Sequence, residues 1–185
     1  MGIVFISSSL YDDIIIISDR VVQAKSTILW LLPAAFVLHD AEEAATMADW
    51  LARNGGRLPP ALRSLFDGGE AAMLAAMAAL FLLLVAGTAW ATFSRGRAEL
   101  LVYATLLGGF FVHGFGHLGQ ALLFGGYTPG VATALVVVIP ASIALYARLR
   151  RMGLDRRTLL LTGAAGALLV GPGILLAWAI GRGFG

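Results

Sequence analysis

Long apolar runs alternate with short polar ones along this chain. Ala71 to Ser94 contains no Asp, Glu, Lys or Arg, and neither does Leu100 to Ala147. A helix needs about 20 apolar residues to cross the hydrocarbon core of a bilayer. The first run is therefore one span, and the second is long enough for two. Gly125-Gly126-Tyr127-Thr128-Pro129-Gly130 divides the second run with strong turn residues. Pro140 is expected to kink the later of its two helices. Thr158 to Gly181 makes the last span, interrupted by Gly171-Pro172-Gly173, which reads as a kink that packing tolerates rather than a broken-helix binding feature.

The first span is harder to bound. Ile28 to Leu38 supplies 11 apolar residues, and the rest must come from one side. Extension downstream, through Ala41, Ala44, Ala45, Met47 and Trp50, gives a helix from about Ser26 to Trp50. That choice draws His39, Asp40, Glu42 and Glu43 into the membrane. Arg53 to Asp67 reads as a loop, with Asn54-Gly55-Gly56 ending the helix and Pro59-Pro60 opening a short amphipathic turn. Spans at about 26–50, 71–94, 99–124, 130–148 and 158–181 predict an all-α integral membrane bundle of five transmembrane helices. It forms a single domain, 26–185, behind a non-spanning N-terminal segment, 1–25.

Composition agrees. Only 13% of the 185 residues are charged, about half the share of a soluble domain, and the mean hydropathy is +0.85. The net charge of +2 comes from arginines at the ends of apolar runs, so it signals topology rather than nucleic-acid binding. Five spans put Arg20, Lys25, Arg95, Arg97, Arg148, Arg150, Arg151, Arg156 and Arg157 on one side, nine of the 13 basic residues. The positive-inside rule then predicts a cytoplasmic N-terminus and an external C-terminus. There is no cysteine, which removes thiolate ligands and disulfides.

The candidate chemistry sits in two places. On a helix, His39, Glu42 and Glu43 fall at i, i+3 and i+4, on one face. His113 and His117 are likewise i and i+4, with Gln120 one turn on. His39 lies 13 residues after Ser26 and His113 lies 14 after Glu99, on helices running the same way, so both reach roughly 20 Å from the cytoplasmic end. Charged groups at that depth cost several kcal/mol unless compensated, and no Lys or Arg is available there. A shared divalent cation compensates two glutamates and uses three imidazoles. Oxygen and nitrogen donors without sulfur favour a transition metal, with Zn the first choice and Fe or Mn next.

His39, Glu42, Glu43, His113 and His117 are therefore the candidate metal ligands. Glu42 is also the candidate catalytic base, by comparison with zinc sites in which a glutamate stands between two helical ligands. Gln120, Tyr127 and Asp40 are candidates for outer contacts, with Asp40 directed about 100° away from His39. Gly109 and Gly116, on the histidine face, are suited to close approach of a neighbouring helix.

His39-Asp40-Ala41-Glu42-Glu43, His113 and the stretch Tyr127-Thr128-Pro129-Gly130-Val131-Ala132-Thr133 resemble the HXXEE family of prokaryotic membrane proteins. The resemblance runs from about Leu29 to Pro140 and implies a multi-pass membrane protein without supplying a reaction. The expected function is a metal-dependent membrane enzyme with hydrolase-like acid–base chemistry on a lipid-like or membrane-dissolved substrate. The alternatives are an ion- or proton-coupled transporter and a haem-binding or structural subunit. Membrane lipids and a small hydrophobic substrate are the expected partners, and nucleic acid is not.

Overall fold

Five long helices make an antiparallel bundle in the computed structural model, which describes residues 27–94 and 96–183. The expectations for 1–25 and for the connection at Arg95 lie outside the described residues. Helix α1 is Leu31–Asn54, led in by a tight turn at Ile28–Trp30. Short turns at Gly55–Arg57, Pro60–Arg63 and Ser64–Gly68 cover the expected loop. Then follow α2 (Gly69–Phe93), α3 (Arg97–Phe124), α4 (Val131–Arg151) and α5 (Arg156–Gly181). The last four are long and apolar enough to cross a membrane. Helix α1 is not among them: Asp40, Glu42, Glu43 and Asp49 break its apolar run.

Helix α3 packs against α2, α4 and α5, and α1 packs against α2 and α4. Tyr103 is fully buried on α3, and its hydroxyl donates to the Leu29 carbonyl at 2.8 Å, tying α3 to the start of α1. Leu32, Phe36, Leu107 and Phe110 extend the same core outward from that tie. Helices α3 and α5 cross in close contact. A Cβ on Gly108 would lie 2.7 Å from the Gly163 Cα, and one on Gly166 would run into the Thr105 carbonyl and the Gly109 backbone nitrogen. Small residues are what allow helices to approach so closely in lipid.

Both prolines are accommodated inside their helices. Helix α5 runs continuously through Pro172, in keeping with a proline that packing tolerates. Proline within a membrane helix is tolerated where neighbouring groups and local adjustment absorb the lost backbone bond. In α4, Pro140 is preceded by one wide turn, Ala134–Val138, in which the Ile139 N–H bonds the Ala134 carbonyl five residues back. Widening the helix there accommodates a residue with no N–H to give. The loop ahead of α4 closes α3 with Gly125 at φ +71°, where the Gly126 N–H bonds the Ala121 carbonyl at 3.0 Å. Asp155 caps α5 by accepting from the Thr158 N–H at 2.9 Å, which holds its carboxyl below the usual carboxylate range.

The glycine crossing generates a contrast. Gly166→Leu is expected to cost about 1–3 kcal/mol or more, because the obstructing atoms are backbone. Gly116→Leu, with nothing within 4 Å of its Cβ position, should stay within about 0.5 kcal/mol. Thermal melts of the two variants in detergent measure the difference, and equal losses would refute the crossing.

Candidate metal centre

Helical spacing carries His39 and Glu43 on α1 toward α3, and His113 and His117 on α3 toward α1. Their ring nitrogens meet. The His39 Nε2 lies 3.2 Å from His113 Nε2 and 3.1 Å from His117 Nε2, and the last two are 3.0 Å apart. His39 and His117 are 0% and 2% exposed, so water does not reach this triangle from their side. A Glu43 oxygen stands 3.5 Å from His117 Nε2. One ligand atom from each of His39, Glu43, His113 and His117 falls within 4.8 Å of every other.

Proton positions follow from the partners. The His117 Nδ1 lies 2.8 Å from the Pro129 carbonyl, which can only accept. That nitrogen therefore carries the hydrogen. The Thr133 hydroxyl donates its single proton to a carboxylate oxygen of Glu42, so it accepts from His39 Nδ1 at 2.9 Å. Both rings, when neutral, thus present a bare Nε2 lone pair to the triangle. The His113 Nε2 can donate one hydrogen bond at most, and three close contacts need more. The arrangement lacks protons and suits a cation. Around a tetrahedral Zn the nitrogens would stand about 3.3–3.4 Å apart, given bonds of about 2.0–2.1 Å. The three observed spacings fall a few tenths of an ångström short of that, so the donor set fits.

Glu42 does a different task. Its Oε1 accepts from the Tyr127 hydroxyl at 2.7 Å and the Ala132 N–H at 3.2 Å. Its Oε2 accepts from the Thr133 N–H at 2.6 Å and from the Thr133 hydroxyl. Ala132 and Thr133 are in the first turn of α4, where unpaired N–H groups and the helix dipole favour an anion. Glu42 thereby pins the start of α4 to α1 and, through Thr133, orients His39. It stands outside the four-residue ligand group.

Of the other candidates, the Tyr127 hydroxyl, which donates to Glu42, also lies 3.2 Å from the Thr46 hydroxyl, and the Tyr127 carbonyl accepts from the Trp50 indole at 3.0 Å. Asp40 is half-buried and makes no hydrogen bond among the described residues. Gln120 is exposed and makes none either. Gly109 does meet α5, but Gly116 faces open space.

Three residues at the centre escaped the sequence reading: Pro129, Gly130 and Thr133. Gly130 has φ +80°, and a Cβ there would lie 2.8 Å from both His117 Cε1 and His39 Cε1. The turn Tyr127–Gly130 is thus part of the wall of the site as well as a connection. A hydroxyl in the first turn of a helix that follows Pro-Gly was the visible signal for Thr133. Its facing α1 was not visible.

Residues 30–145 match a family described as protein of unknown function with HXXEE motif. The chain belongs to the HXXEE-motif family. No curated protein and no solved structure matches it. In HXXEE terms, the histidine and the second glutamate of the motif face the triangle here, and the first glutamate holds α4.

Outer partners of metal-bound histidines are typically worth 10–100-fold in affinity. Thr133→Val keeps the size of the side chain and removes both hydroxyl bonds. Competition against a graded chelator should show Zn affinity lowered by about that factor in Thr133→Val and in Glu42→Gln. Wild-type affinity in both would show that the relay does not position His39.

Proposed function

We propose that this HXXEE protein is a metal-dependent membrane enzyme acting on an ester- or amide-bearing lipid-like molecule. The observation that carries the proposal is the meeting of three Nε2 atoms, two of them bare, beside a carboxylate. His39, His113 and His117 hold a divalent transition metal, Zn first, with Fe or Mn as alternatives. Such an ion supplies Lewis acidity at the site.

The glutamates divide the remaining work. Both oxygens of Glu42 are taken up by four hydrogen bonds, so it serves as a framework anion and the role of base passes to its neighbour. Glu43 faces the imidazoles, its Oε1 3.5 Å from His117 Nε2, and is the group placed to take up and return a proton. Helix α1 is the fifth crossing in this reading, its charges compensated by the ion and by the α4 N-terminus. The N-terminus is cytoplasmic and the centre lies in the outer half of the membrane.

An apolar cavity of about 390 Å³ supports the substrate class. It lies among α2, α3 and α5, with His113 in its wall. Leu83, Leu169 and Leu176 line it and are also exposed on the outside of the bundle, so it communicates with lipid. The His113 Nδ1 has no hydrogen-bond partner among the described residues, which leaves it available to a polar group of an occupant of this cavity.

A second reading, ion transport through the same groups, differs in outcome. Haem ligation does not fit: axial imidazoles stand about 4 Å apart across a macrocycle, and these nitrogens are 3.0–3.2 Å apart with no slot between them.

Elemental analysis of purified protein should find about one transition-metal ion per chain, lost in His39→Ala and in His113→Ala. Glu43→Gln should keep the metal and lose at least about 100-fold in turnover of a fluorogenic lipid ester. Metal content unchanged by both histidine variants would refute the centre. Metal-dependent cation flux into liposomes, without turnover, would favour transport.

A further inference from the structure

On the far side of the α3–α5 glycine crossing lies a second apolar groove, of about 510 Å³, between α3, α4 and α5. It does not touch the histidines. Its floor is made of small residues, Gly108, Gly163 and Ala164, with Phe111 and Leu160 as walls. Arg150, near the end of α4, and Arg156, the first residue of α5, stand at its mouth. Both are exposed, and neither guanidinium makes an ion pair or hydrogen bond among the described residues. The nearest acid in sequence, Asp155, is engaged by the Thr158 N–H and hydroxyl and lies 3.9 Å from Arg97.

We propose that this groove is a binding site for one anionic phospholipid of the cytoplasmic leaflet, its phosphate held by Arg150 and Arg156. Three features agree. Two cations converge on one end of an otherwise apolar channel, which is the charge pattern of a phospholipid. The length is right: Arg156 to Ala167 is 11 residues along α5, or about 16 Å of helix, against about 15 Å for one leaflet of hydrocarbon. The polar groups come in the right order. Tyr146 lines the groove one turn deeper than Arg150 on the same face of α4, about 6 Å below it. Its hydroxyl has no hydrogen-bond partner among the described residues and is placed for an ester carbonyl beneath the phosphate. The leaflet follows from the basic 148–157 loop, because basic pockets between spans on the cytoplasmic side take anionic headgroups.

Native mass spectrometry of the full chain, delipidated and then offered equal phosphatidylglycerol and phosphatidylcholine of matched chains, tests this. The expected result is one tightly held phosphatidylglycerol per chain, with preference falling roughly fivefold for each arginine replaced by glutamine at 150 and 156. Arg151→Gln with Arg157→Gln removes the same charge from the same loop outside the groove and should leave the preference intact. Ala164→Phe obstructs the groove with all charges present and should abolish the bound lipid. Equal retention of the two lipids, an equal loss in the 151/157 control, or undiminished binding in Ala164→Phe would each overturn the proposal. The metal content of these variants should match wild type, so the outcome is independent of the centre.

Discussion

Three imidazole nitrogens within 3.0–3.2 Å of one another, with too few protons to share, set the terms for this molecule. Two of the three are fixed as acceptors by groups on α4 and the loop before it: the Pro129 carbonyl and the Thr133 hydroxyl. The third, His113, sits at the wall of an apolar cavity. Bare lone pairs in a dry bundle are costly unless they are satisfied. A cation would satisfy them together, and would account for a helix with Asp40, Glu42 and Glu43 at its middle among helices whose apolar runs exclude charge.

The five-residue motif then has a division of labour that spacing alone explains. His39 and Glu43 are one turn apart and share the face toward α3. Glu42 is rotated by about 100° from Glu43, enough to leave the triangle and meet the first turn of α4. There it finds backbone N–H groups, a hydroxyl and the positive end of a helix dipole. The wide turn Ala134–Val138 begins one residue after Thr133, so the residues that touch Glu42 precede the irregularity imposed by Pro140. Gly130 completes the arrangement by leaving out the Cβ that would displace both buried rings.

Much of this was legible in the sequence because lipid simplifies the code. Charge-free runs located four spans to within a few residues, and depth counting put His39 and His113 at one level. The end of α1 at Asn54 agrees with Asn54-Gly55-Gly56 as its stop, four residues beyond the apolar stretch that ran to Trp50, since polar residues at a helix end give no apolar edge to read. Gly116 misled because helical register gives a face without saying whether a neighbour is there. Thr133 and Pro129 were hidden for a deeper reason. They act through one hydroxyl and one carbonyl, and only the path of the chain between α3 and α4 decides where those point.

The most direct measurement is X-ray absorption fine structure at the metal edge of the purified, metal-loaded protein. The account predicts a first shell of nitrogen and oxygen at about 2.0–2.1 Å, with the outer-ring scattering of three imidazoles and no sulfur. A shell of oxygen alone, or imidazole scattering from fewer than two rings, would contradict it.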